Sequence, residues 1–215
     1  MQVSAPESVN VMRQPEWRDH ILAGTFMRVT CEQCGGQSVV EREFTYADFT
    51  AEDAGLFIGV FPRDRRPDHE ACARVVAEAF RAAVAESPPA IRGQLETVEV
   101  RVCFGHAELR EKVVCAAAKL DDRIVEAMKL AIFDAGPGAD AAGVQMLYLV
   151  GFDESDGALW FAPHLDRPMT GDDPFLRVDR AMYDDFIRDR ERIAALLAPL
   201  FSSAYVHAAH PALQS

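Results

Sequence analysis

No apolar run in this 215-residue chain approaches the ~20 residues needed to span a bilayer, and residues 1–10 have neither a basic start nor an apolar core. Neither a membrane span nor a secretory leader is therefore expected. Gly-x-Ser-x-Gly, Gly-x-x-x-x-Gly-Lys and His-Glu-x-x-His do not occur, which removes the commonest hydrolase, nucleotide-binding and metalloprotease signatures. There is no internal repeat and no low-complexity tract. Positive charge is scarce: 22 Lys and Arg stand against 34 Asp and Glu, a net charge of −12. Such a surface repels phosphates and anionic lipid, so nucleic acid and membrane are not expected partners. Cysteine is sparse as well. Five cysteines, an odd number, make no disulfide scaffold, and the expected compartment is the reducing cytoplasm, where a cysteine pair binds metal more readily than it oxidises.

What remains is an ordinary globular composition, 49% apolar and 26% charged, in a chain long enough for a real core. The pattern predicts an α+β protein. Short strands are expected over Ser8–Met12, Phe26–Thr30, Ser38–Phe44 and Gly55–Phe61, with one helix after Pro15 that stops at Gly24. A charged connector, 63–68, leads into a helix over 67–86 with Ala71, Val75, Val76, Ala79, Phe80 and Ala83 as its apolar stripe, ended by Ser87-Pro88-Pro89. A strand over 97–104 precedes a helix over 106–118 that turns Leu109, Val113, Ala116, Ala117 and Leu120 inward. Asp121 caps the next helix, 121–134. Gly136-Pro137-Gly138 is a break. Val144–Phe152 and Ala158–Ala162 form a hairpin, Asp179 caps a last helix over 179–197, and the tail from Ser202 is expected to fray. The organisation expected is a ribbon-like β region over 1–62, a helical α/β part over 63–135, and a hairpin plus helix over 136–215.

The chemistry-bearing stretch is Cys31-Glu32-Gln33-Cys34-Gly35-Gly36. Two thiols two residues apart can face one zinc ion, whereas a structural zinc takes four ligands and no second Cys-x-x-Cys exists here. A redox pair places its first cysteine at a helix N-terminus, and no helix is expected after Gly36. A zinc knuckle uses a glycine after the second cysteine so that backbone N–H groups can turn toward sulfur. A vestigial, metal-free pair competes with that reading. His69 and Cys72, three apart on one helix, could supply the other two ligands, although Cys72 also suits the apolar stripe. Two chains could also share one ion.

Other candidates have plainer explanations. His106-Ala107-Glu108 lacks the downstream Pro-Cys-x-x-Cys of the zinc deaminases, so His106 is expected near a helix start at the surface. Asp121-Asp122 fits a cap and a first-turn acid. Cys103 and Cys115 read as buried thiols. Asp172-Asp173 and Asp184-Asp185 read as solvated acids.

Three stretches together are similar to the bacterial CpXC family, named for two Cys-Pro-x-Cys motifs. They are Ser8-Val9-Asn10-Val11 with Pro15-Glu16 and Gly24-Thr25 leading to Thr30-Cys31-Glu32-Gln33-Cys34-Gly35; Phe104-Gly105 with Glu108-Leu109-Arg110-Glu111-Lys112; and Leu120-Asp121-Asp122-Arg123 with Glu126 and Lys129. The resemblance implies a four-thiolate zinc ribbon in which Cys31 and Cys34 form the second motif, with Glu32 in place of the proline. The first motif should lie before Ser8, at a place preceding Met1, so the chain either begins late or carries half the site. The resemblance supplies no substrate, reaction or catalytic residue. The expectation is a non-catalytic binding or regulatory module, with zinc as the only cofactor in view, a protein as the expected partner and the oligomeric state open. The alternative is an enzyme of unknown reaction with a site in the α/β body.

Overall fold

The computed structural model describes residues 6–50, 55–135, 146–163 and 175–208. It is an α+β protein that divides into two compact units, residues 1–109 and 110–215, with the division falling inside a helix. Among the described residues, no helix is long and apolar enough to cross a membrane.

The first unit is built on a four-stranded sheet in the order β1-β4-β5-β6. Its strands are β1 (Ser8–Asn10), β4 (Phe44–Asp48), β5 (Leu56–Phe61) and β6 (Glu99–Phe104). β4 runs antiparallel to β5, whereas β1 pairs parallel with β4 and β5 parallel with β6. The parallel β5–β6 pair needs a crossover. It is supplied by a 3-10 turn (Arg63–Asp68), α2 (His69–Glu86) and α3 (Pro89–Leu95). A Cβ at Gly59 of β5 would fall 2.1 Å from Val76 of α2, so the absence of a side chain there is what lets the helix lie close on the strand. The core side chains Tyr46, Ile58, Val60, Val76, Val102 and Phe104 are buried.

Helix α1 (Glu16–Leu22) begins just after Pro15 and ends before Gly24, whose positive φ serves the stop expected of it. Two strands, β2 (Arg28–Thr30) and β3 (Gln37–Val39), then pair antiparallel as a small hairpin. The single strand expected over 38–44 is thus two: β3 ends at Val39, and β4 starts at Phe44 as an interior strand of the main sheet. Helix α3 was hidden by the double proline. Pro88 ends the path of α2, and Pro89 then starts a new helix at the position where a missing N–H costs nothing.

Helix α4 (His106–Ala117) holds the division, its residues from Arg110 onward belonging to the second unit, where α5 (Asp122–Ala135) follows and then a three-stranded antiparallel sheet, β7 (Leu147–Phe152), β8 (Leu159–Pro163) and β9 (Leu176–Val178). Asp121 accepts the N–H of Arg123 at 3.0 Å, as an N-cap does. The last helix is broken into α6 (Arg180–Arg188), α7 (Arg190–Leu196) and α8 (Ala198–Ser202). Asp179 occupies the cap position of α6 without making the side-chain cap bond, and its carboxylate faces Arg177 instead. The tail is not frayed through residue 208: Tyr205, Val206 and His207 are buried completely or nearly so. Gly136-Pro137-Gly138 and Asp172-Asp173 lie outside the described residues.

Candidate functional site

Two constellations carry chemistry, one in each unit. The first is the loop of the β2–β3 hairpin, where Cys31 and Cys34 both sit exposed. The loop is closed by the Cys31 N–H donating to the Gly36 carbonyl and the Gly35 N–H donating to the Cys31 carbonyl, each at 2.8 Å. Gly35 has φ +69°, which a side chain would strain, and a Cβ at Gly36 would press to 3.2 Å from the Cys34 sulfur. The backbone N–H groups of Cys34 and then Gln33, together with the Cys34 thiol, point at the Cys31 sulfur and lower its pKa. Donors converging on sulfur favour the thiolate, the form that ligates metal. At the base of the hairpin, the Val40 carbonyl is held 3.1 Å from Nε2 of His106. His106 is half-buried rather than at the surface, against Phe26 and Phe44, and burial lowers its pKa.

The donor set at this turn fits half of a tetrahedral zinc site: two thiols, one tight turn, and N–H groups already directed at sulfur. His69 and Cys72 do not form a metal-type group with it among the described residues. Cys72 is buried in the core, and burial raises its thiol pKa, as it does for Cys115.

The second constellation was not foreseen from the residues. Glu111 and Lys112 of α4, and Asp122, Glu126 and Lys129 of α5, are all buried, three of them at 0% exposure. The spacings of four and three from Asp122 to Glu126 to Lys129 put those side chains on one side of α5. Lys129 donates to both carboxylate oxygens of Glu111, at 3.0 and 2.9 Å, and lies 2.7 Å from Oε2 of Glu126. Lys112 lies 3.2 Å from Glu126 Oε1 and 3.2 Å from Asp122 Oδ2, and it donates to the Val206 carbonyl at 2.6 Å. Each ammonium therefore meets three acceptors, matching its three donors. The N–H of Leu149 completes Glu111 and that of Ala208 completes Glu126, both at 2.7 Å. Tyr205 stacks on His207, and Lys129 lies over the Tyr148 ring.

Burial, then the neighbouring Glu126 charge, pushes the Glu111 carboxyl up to about 8. Burial acts the same way on Glu126, but Lys129, Lys112 and His207 outweigh it and hold that carboxyl well below the usual range. For both lysines, burial disfavours the charge and the surrounding carboxylates more than restore it. Glu111, Glu126 and His207 have ligand atoms within 4.8 Å of one another, a spacing that a metal ion could use. The Lys129 ammonium already stands against both carboxylates, so the cation of this cluster is a lysine.

Asp122 is the first-turn acid of α5 as expected, but it is also a buried partner of Lys112. Of the apolar stripe expected for α4, Leu109, Val113 and Leu120 are buried, while Ala116 and Ala117 are exposed. The signal available beforehand was that Glu108, Arg110, Glu111, Lys112, Asp122, Glu126 and Lys129 all fall in the stretches that carry the CpXC resemblance. Elsewhere in the first unit, Glu108 accepts from the Phe104 N–H at 2.8 Å and from Arg66 at 2.7 Å. Asp184 and Asp185 are exposed and pair with Arg180 and Arg188.

No curated protein and no solved structure matches the chain. The family model described as CpXC protein matches residues 1–129, a span that contains Cys31, Cys34 and all five charged residues of the buried cluster but not Val206, His207 or Ala208. With well over half its length matched, the chain belongs to the CpXC family.

Proposed function

We propose that this CpXC protein is a cytoplasmic, non-catalytic binding or regulatory module whose β2–β3 hairpin presents Cys31 and Cys34 to zinc. The observation that carries this is the turn itself: two exposed thiols with backbone N–H groups converging on the Cys31 sulfur, on a loop whose Gly35 takes a positive φ. Nothing else in the hairpin demands two cysteines, since neither side chain packs into a core. The test is a zinc titration of the full chain in reducing buffer against a chromophoric chelator, with Cys31→Ser and Cys34→Ser alongside. Binding that disappears in either variant supports the reading. Wild-type binding no tighter than that of the variants overturns it.

An enzyme with its site in the α/β body is the second reading, favoured by the perturbed Glu111 carboxyl, since such shifts cluster at functional sites. It ranks below the first because the ammonium donors are fully occupied and the cluster is sealed from solvent, leaving a substrate neither a free group nor an entry among the described residues. Glu111→Gln tests it: under the first reading, it alters stability and leaves zinc binding untouched.

A further inference from the structure

Resting on the zinc reading, the geometry of the hairpin points to how the site is completed. We propose that a second copy of this chain supplies the other two ligands, so that Cys31 and Cys34 of two chains hold one zinc ion through four thiolates at a two-fold axis.

Several observations lead there. A structural zinc is closed by four ligands, and two thiolates on one turn can span only one edge of the tetrahedron. Among the described residues, no third histidine, cysteine or acidic ligand atom groups with Cys31 and Cys34. Both sulfurs sit on an outward loop, not in a crevice. The turn also leaves room for an approaching copy. A Cβ placed at Gly35 would meet no atom within 4 Å, and Cys31 through Gln37 are all exposed. A two-fold contact is self-complementary, so one pair of thiolates meets an identical pair and the coordination closes without further parts.

The charge of the chain is the obvious objection, since two bodies at −12 repel. The hairpin itself is close to neutral. From Arg28 to Val39 it carries one cation, Arg28, and one anion, Glu32. The repulsion therefore comes from charges outside the hairpin, and charges lying beyond the ~8 Å screening length of physiological salt contribute little. Pairing through the tips is therefore favoured by salt, unlike pairing through opposite charges.

The experiment is mass and metal measured together on the full chain, reduced and loaded with excess zinc, then freed of unbound ion. The expected result is a doubled mass by sedimentation, about one zinc per two chains by elemental analysis, and return to the monomer with a strong chelator. Cys31→Ser and Cys34→Ser should each stay monomeric; both positions are exposed, so folding is not at stake, and circular dichroism checks it. Cobalt in place of zinc should saturate at about half an equivalent, with the intense sulfur-to-metal bands of a four-thiolate site. A monomer carrying one zinc per chain overturns the pairing while leaving the zinc reading standing. A dimer that survives both chelation and Cys31→Ser also overturns it. A chain that takes up no zinc in any form removes both.

Discussion

The cysteine hairpin and the buried charge cluster are opposites in how they satisfy their polar groups. The cluster is closed. Three carboxylates and two ammonium groups, on residues at 0–5% exposure, are satisfied by one another, by two backbone N–H groups and by the Val206 carbonyl. The hairpin is open: the Cys31 sulfur receives N–H groups from its own turn, and both thiols are exposed. A closed polar network contributes conformational specificity and is costly to breach, whereas an open one contributes little to folding and is free to bind. In this protein, residues of the types often read as catalytic are the ones locked into structure, and the sparse exposed pair is the one left available.

The sharpest way to break that contrast is Lys129→Met. Removing the ammonium leaves Glu111 and Glu126 facing each other in a sealed site, and should cost about 3–5 kcal/mol in urea unfolding. A cost below about 1 kcal/mol would mean that the cluster is hydrated and the opposition false.

A second test uses pH. The folded Glu111 carboxyl titrates near 8 against an ordinary 4.5, so the folded chain retains a proton that the unfolded chain releases. That contribution to stability is complete below 4.5 and is lost as pH rises toward 8. Glu126 acts in the opposite sense: its lowered pKa gives stability that is present above 4.5 and lost as pH falls. Glu111→Gln should therefore flatten the decline between pH 4.5 and 8 and keep the acid limb. An unchanged slope across that range would show that Glu111 is ionised throughout.

Asp121→Ala is expected to cost about 0.5–2 kcal/mol, since Asp121 caps α5 and also meets Arg190. Zinc binding at the hairpin should be unaffected. The smallest effect belongs to Cys31→Ser in metal-free buffer, within about 0.5 kcal/mol of wild type as for other surface changes. A larger loss would show that the open site supports the fold after all.

How much of this was legible follows the same division. The hairpin turn was readable because it is local: two cysteines, two glycines and the β-branched runs beside them define it within a dozen residues. Helices α2, α4 and α5 were readable from their period, and β7–β8 from their acidic, glycine-ended turn. The cluster was not, because α4 is buried all round from Glu108 to Cys115, and the rule that places charges outside fails there. Glu111, Lys112, Glu126 and Lys129 compensate one another only once two helices, a strand and the tail meet, and no spacing along one helix reports that. The tail failed for the same reason: Ser-Ser-Ala-Tyr-Val-His is unremarkable until Val206 and Ala208 are seen as the backbone partners of Lys112 and Glu126. Interior strand β4 was missed because Phe44-Thr45-Tyr46-Ala47-Asp48 follows a charged stretch that blurs its start.

The contact between Lys112 and Val206 spans 94 positions, which sets an order of events during synthesis. At about 5–20 residues per second, the ribosome makes the second partner roughly 5–20 s after the first. Until then Lys112 lacks the carbonyl that completes its three acceptors, and Glu126 lacks the N–H of Ala208. The sheet of the first unit has all its strands long before that moment. The nascent chain therefore carries a finished sheet in its first unit while the acids and lysines behind it still await Val206 and Ala208, and a pause or truncation before those residues would strand them uncovered.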